Sequence, residues 1–433
     1  MFRLKEHGTN VKTELIAGMT TFLTMIYIVV VNPIILSDAG VPLDQVFMAT
    51  IISAVIGTLW MALCANYPIA IAPGMGLNAY FTYAVVISSG GKIDYLTAFA
   101  AVFVAGIIFI LLSLTPLREK LITTIPQNLK HAITAGIGLF IAFLGLRMAK
   151  VVVASDSNLV MLGDLTSPGV LLTLFGLFIT VILMVRNVKG ALFIGMIVTG
   201  IVAVLTNQLH IEKVVALPHL PEGILIWNPI EAFSQVFSFG LYGVVFSFIL
   251  VTLFDTTGTM VGVAKQAGLM KGDKLPRARH ALLADSVATT VGSMFGTSPT
   301  TAFVESSSGV AAGGRTGLTS LTVAILFIVA SFFGPLVSAV SGVTAITSPT
   351  LIIVGTLMIG SVKDIEWGKF EEAFPAFLII LIMPLTSSIS TGIAFGFITY
   401  PILKIAKGEA KEVHPLLYVF AILFAFQLIF LPH

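Results

Sequence analysis

Apolar runs long enough to cross a bilayer, about 17 to 25 residues, recur along nearly the whole chain, separated by short polar or Pro/Gly-rich breaks. Length and punctuation predict helices near 14–36, 46–64, 72–87, 95–115, 131–149, 169–186 and 190–207. A second set follows near 240–263, 281–295, 301–312, 316–340, 345–361, 372–386 and 390–406, with a further apolar segment over 413–431. Where no water reaches, backbone polar groups must be satisfied within the fold, so an all-α polytopic membrane protein of about 14 segments is expected. The first run is too long for a signal-peptide core and lacks a small-residue cleavage pattern, which predicts a retained helix.

Composition agrees with that pattern: 57% of the 433 residues are hydrophobic and only 10% charged, too few charges to keep a soluble surface wet. A net charge of +2 suggests no nucleic acid partner; the partner implied is the lipid bilayer. Lys and Arg concentrate in alternate loops, as cytoplasmic loops should. Arg3, Lys5 and Lys12 precede the first segment, and Arg118, Lys120 and Lys130 follow the fourth. Arg186 and Lys189 follow the sixth; Lys265, Lys271, Lys274, Arg277 and Arg279 follow the eighth. Asp38, Asp44, Asp156 and Asp164 mark the opposite side. An inner-membrane protein with a cytoplasmic N-terminus is expected. Trp227 and Trp367 read as interfacial anchors.

Seven segments per half is an odd number, so a second copy of the half must enter the membrane from the other face, giving a 7+7 inverted repeat. The stretch from Asn66 to Gly74 resembles that from Thr297 to Glu305 in its Pro placement and in the small-residue helix start beyond, at an offset of 231. Both break the helical pattern. Pro68 and Pro73 bracket an extended piece before a half-helix opening at Gly74; Thr300 to Val304 is extended before one opening at Glu305. Interrupted segments at matching positions are the best sequence pointer to a midplane site. Unpaired N–H groups at such helix starts offer polar sockets. Gly74, Gly76 and Ala79 also spell G-x-G-x-x-A, but membrane segments flank them rather than a soluble βαβ unit, which excludes a dinucleotide site. Close helix packing is the plainer reading of these glycines.

A carboxylate at the centre of a membrane segment costs about 2.5–3.5 kcal/mol on an insertion scale, so each one needs a reason. Asp255 lies deep in its segment and Glu305 at the second half-helix start, with no Lys or Arg at the centre of any segment to neutralise them. Desolvation disfavours a carboxylate's charged form, which suits a proton carrier. Asp285 stands near the end of its segment beside Arg279 and His280, so snorkelling or a local ion pair is expected there. No P-loop, H-E-x-x-H motif or Cys/His cluster occurs, and Cys64 is the single cysteine. An ATP-driven pump, a metalloprotease and a metal enzyme are therefore disfavoured. The expectation is a secondary transporter rather than an enzyme, with no metal and no cofactor, and with protons as the coupling ion.

At these residues the chain resembles the AzgA-like purine nucleobase permeases, the hypoxanthine/guanine/adenine branch of the nucleobase:cation symporters. The likeness rests on Ala17 to Met25 with Asn32-Pro33, on Pro73 to Phe81, on Phe254 to Thr259, and on Ser298 to Thr301 through Glu305 to Gly309. It implies a uracil-permease-like fold with short antiparallel strands in segments 3 and 10, and a homodimer. A core domain would comprise 14–115 and 240–340, a gate domain 116–207 and 345–406. The apolar segment within 407–433 exceeds the fourteen-segment pattern. The implied activity is import of a purine nucleobase by proton symport, with elevator-type alternating access. A uracil or xanthine permease and a sulfate or bicarbonate transporter are the alternatives. Substrate-binding candidates are Glu305, Asp255, Asn78, Phe303, Ser306 and Gly74, with Phe254 as a second stacking ring. Asp255, with Thr259 as hydroxyl partner, and Glu305 are the candidates for proton coupling.

Overall fold

The computed structural model describes residues 2–115, 124–218, 221, 223–270 and 275–430, without the side chains of Phe254 and Phe430. The expected loop cations Arg118, Lys120, Lys271 and Lys274, and the Phe254 ring, lie outside the described residues.

The first apolar run forms two helices, α1 (Val11–Met25) and α2 (Ile28–Ser37), broken at Ile26 and Tyr27. Asn10 caps α1 by accepting from Thr13 N at 3.0 Å, one of the unpaired donors of a helix start. Then come α3 (Leu43–Trp60), β1 (Ile71–Pro73), the half-helix α4 (Met75–Ala79) and α5 (Tyr95–Leu114). The half closes with α6 (Gln127–Met148), a hairpin of β2 (Val152–Ser155) and β3 (Leu159–Leu162), α7 (Pro168–Val185) and α8 (Ala191–Leu205).

The second half begins with α9 (Pro229–Ser238), α10 (Tyr242–Gln266) and α11 (Ala278–Phe295), and reaches its own break at β4 (Thr300–Ala302) and the half-helix α12 (Ser306–Ala311). It ends with α13 (Gly317–Ala330), α14 (Gly334–Ser341), α15 (Thr344–Ile359), α16 (Phe370–Thr386) and α17 (Ile389–Ala406), after which the extra apolar segment forms α18 (Pro415–Phe430). Nine stretches among the described residues are long and apolar enough to cross a membrane unaided.

Packing divides these elements into two groups. In one, α1 lies on α12 and α13, α3 on α11 and α13, and α5 on α10 and α11. Small residues permit this closeness: a Cβ at Gly309 would stand 2.1 Å from Thr21 Oγ1, so α12 could not lie on α1 otherwise. In the other group α6 packs on α15 and α16, α7 on α8 and α15, and α16 on α17. The groups touch between α4 and α6, α1 and α8, and α10 and α17.

Two elements were not foreseen. The β2–β3 hairpin occupies what reads as a loop after α6, and it leaves Leu159 79% exposed. The helix α9 is too short to span; it buries Ala232 and Val236 while Ile230 and Phe237 stay exposed, an amphipathic surface helix that a search for spanning runs passes over.

Candidate functional site

The two chain breaks meet. β1 and β4 pair antiparallel, with Ile71 opposite Ala302, Ala72 opposite Thr301 and Pro73 opposite Thr300. Phe303 N donates to Ala70 O at 3.0 Å and Gly74 N to Pro299 O at 2.9 Å, extending the ladder at both ends. A two-stranded ribbon leaves each strand an unpaired edge, which lipid cannot satisfy. Hydroxyls from neighbouring helices take those groups. Thr58 Oγ1 on α3 accepts from Ile71 N at 3.0 Å, Thr256 Oγ1 on α10 from Ala302 N at 3.3 Å, and Thr289 Oγ1 on α11 from Thr300 N at 2.9 Å. On α13, Ser320 Oγ donates to Tyr67 O and Ile69 O. The extended segments are thus clamped by four helices.

The half-helices start at Met75 and Ser306, which keep the 231-residue offset. Because the strands run antiparallel, these starts lie at opposite ends of the ribbon. α12 is only six residues long, so its dipole is small, and Glu305 at its N-cap makes no capping bond. Glu305 Oε1 instead accepts from the Tyr27 hydroxyl at 2.5 Å, reaching the α1–α2 break. Tyr27 was absent from the sequence-derived site.

Asp255 on α10 stands near enough to Glu305 for their charges to interact, and both side chains are half-buried, leaving part of each open. β4 lies against α10 there, which brings the Thr301 hydroxyl close to Asp255. Neither carboxylate has a salt bridge among the described residues.

The other candidates divide by role. Ser306 is fully buried and its Oγ accepts from Ala70 N at 3.0 Å, so it closes the ribbon. Gly74 caps α4, and a Cβ there would come within 3.1 Å of Thr301. The Phe303 ring is buried in the main apolar core. Asn78 is fully buried on α4; its Nδ2 donates to Asn32 Oδ1 at 3.0 Å while its own Oδ1 has no partner.

Three further polar residues are buried, of which the sequence reading had singled out only Asp285. Asp285 does not snorkel: it is fully buried on α11 and accepts from the Ser286 hydroxyl at 3.3 Å. Glu14, fully buried, accepts from the N–H groups of Arg315, Thr316 and Thr319 and from the Thr319 hydroxyl at 2.6 Å, capping α13. Lys404 in the last turn of α17 is buried against Glu372 of α16 at 3.1 Å, and Asn128 of α6 donates to the same carboxylate at 2.7 Å. No group of three or more His, Cys, Asp or Glu able to hold a metal ion occurs among the described residues.

A family model described as "Permease family" (Xan_ur_permease) matches residues 12–395. The guanine/hypoxanthine permease PbuO of Bacillus subtilis is 68% identical over 432 residues, covering 100% of both chains. The adenine permease AdeP of Escherichia coli is 43% identical over 433 residues, covering 100% of this chain and 96% of its own. Among solved structures, the transmembrane domain of the cyanobacterial bicarbonate transporter BicA is similar with a TM-score of 0.67 at 16% identity, covering 88% of this chain and 97% of that one. At such identity the likeness concerns the fold alone.

Proposed function

Since the chain belongs to the Permease family (Xan_ur_permease), we propose that it imports purine nucleobases, hypoxanthine and guanine foremost, by proton symport across the inner membrane. The observation that carries this reading is the pair of half-buried carboxylates beside the strand ribbon, Asp255 on α10 and Glu305 at the start of α12, close enough for their charges to interact and with no salt bridge to a cation among the described residues. The relatives' names supply the substrate class, since PbuO is named a guanine/hypoxanthine permease.

The chemistry follows from the edges of the base. A 6-oxopurine presents N1–H, and guanine adds an exocyclic amine beside it; an ionised carboxylate accepts both. Adenine has an acceptor at N1, so Glu305 favours the 6-oxopurines. A stacked ring contributes about 1–3 kcal/mol per base and tolerates any purine, which leaves the choice to hydrogen bonds; Phe303 and Phe254 are the candidate rings. Asn78 meets a second edge.

Two adjacent negative charges in a low-dielectric site repel. A proton on Asp255 lets Glu305 stay ionised for the base. Carrying one H⁺ with a neutral base moves one positive charge, worth about 2.3 kcal/mol per 100 mV or roughly 50-fold accumulation. We assign the group containing α1–α5 and α10–α13 as the moving core and that containing α6–α8 and α15–α17 as the gate, in a homodimer with the N-terminus cytoplasmic. An anion transporter is the rival on this fold, but a carboxylate at the second half-helix start repels an anion and α12 is too short to offset it.

Calorimetry on the purified protein with the four natural purines tests the substrate assignment. Hypoxanthine and guanine should bind most tightly; adenine outcompeting both overturns the 6-oxopurine preference, and no purine binding overturns the reading.

A further inference from the structure

A chain of buried hydrogen bonds behind Asn78 determines which end of its amide is left without a partner. Thr50 Oγ1 donates its one proton to Val46 O at 2.7 Å, so it can only accept from a side chain. Asn32 Nδ2 donates to it at 2.7 Å and to Thr297 Oγ1 at 2.8 Å, which uses both amide hydrogens. Asn32 Oδ1 is thereby turned toward Asn78, whose Nδ2 must donate to it at 3.0 Å, while Ser298 Oγ adds a longer bond at 3.5 Å. Asn32, Asn78, Thr50, Thr297 and Ser298 are all fully buried, and Asn78 Oδ1 remains an acceptor without a partner. An amide is a donor at one end and an acceptor at the other, so this relay decides what Asn78 offers.

We propose that Asn32 and Thr50 are positioning residues that hold Asn78 with its carbonyl oxygen, rather than its amine, left free for the substrate, so that the site reads an N–H on the imidazole edge of the base. The proposal rests on the purine reading. Antiparallel pairing sets α4 and α12 at opposite ends of the ribbon, so a base whose N1–H edge meets Glu305 turns its imidazole edge toward Asn78. The site then presents acceptors at both ends and selects a base that donates at both. A relay of opposite polarity would demand an imidazole nitrogen lone pair instead.

The test uses the full chain in detergent and calorimetry with two ligands: hypoxanthine, and its isostere in which a ring oxygen stands in place of N9–H, leaving no imidazole donor. Wild type should bind the isostere about 10-fold or more weakly, the cost of facing two buried acceptors. Asn78→Ala should bind the two ligands within about threefold of each other, since the facing acceptor is gone. Thr50→Val, nearly isosteric and remote from the base, should also shrink the ratio, and Thr50→Ser should restore it. Equal binding of both ligands by wild type overturns the proposal. So does a Thr50→Val protein that weakens both ligands equally and leaves their ratio unchanged. Wild type that binds no hypoxanthine refutes the purine reading itself, and this inference with it.

Discussion

A hydrogen bond to an ionised group contributes about 1.5–3 kcal/mol, so the Tyr27 hydroxyl on Glu305 is the strongest single restraint on the proposed substrate-accepting carboxylate. Tyr27→Phe should leave the fold intact and weaken hypoxanthine binding about tenfold by releasing that carboxylate from its orientation; unchanged affinity by calorimetry would make the contact incidental. The two carboxylates should separate in their phenotypes. Asp255→Asn should retain purine binding and lose uptake driven by an imposed pH gradient, whereas Glu305→Gln should lose binding first. If Asp255→Asn still concentrates purine in a protonophore-sensitive way, Asp255 is not the proton site. Asp255 and Glu305 were legible from sequence because a carboxylate inside an apolar run needs an explanation. Tyr27 was not, because a tyrosine in such a run is unremarkable until its partner is known, and that partner lies 278 residues away.

Among the elements, the strand ribbon is the one most dependent on borrowed hydrogen bonds. Thr58→Val removes the acceptor for Ile71 N, leaving a donor unsatisfied within the protein, and should cost about 1–3 kcal/mol. Thermal unfolding in detergent should register the loss; a Tm equal to wild type would mean that the ribbon edge has another partner. Breaking a buried ion pair from one side costs about 3–5 kcal/mol, so Glu372→Ala, which strands Lys404 between α16 and α17, should lower Tm further, with Glu409 at 2.9 Å from Lys404 softening the effect. The ribbon was readable because prolines and glycines punctuate it at matching places in both halves. The α1–α2 break at Ile26 and Tyr27 was not, since no glycine or proline stands at those two positions and Pro33 lies inside α2. The hairpin β2–β3 escaped because its strands are only four residues each and β3 is exposed throughout.

At the scale of the molecule, the proposed elevator requires the two packing groups to slide along contacts such as Leu23 of α1 against Gly190 at the start of α8, where a Cβ would stand 3.3 Å from that of Leu23. A cysteine pair bridging α1 and α8 there, in a Cys64→Ser background, should stop uptake on oxidation and recover it on reduction; full transport while cross-linked contradicts the sliding. The segment lengths foretold most of the long helices, since lipid permits few alternatives to a helix, but the division into groups depends on which faces pack, and apolar faces look alike in sequence. The central claim is proton-driven purine import, and radiolabelled hypoxanthine uptake tests it most directly. The experiment uses cells lacking other purine uptake, with and without a protonophore, expressing wild type or Glu305→Gln. Wild-type cells should accumulate hypoxanthine above the external level and lose that accumulation with the protonophore, and Glu305→Gln cells should not accumulate it. Accumulation that survives the protonophore, or wild-type cells that take up no hypoxanthine, would contradict the account.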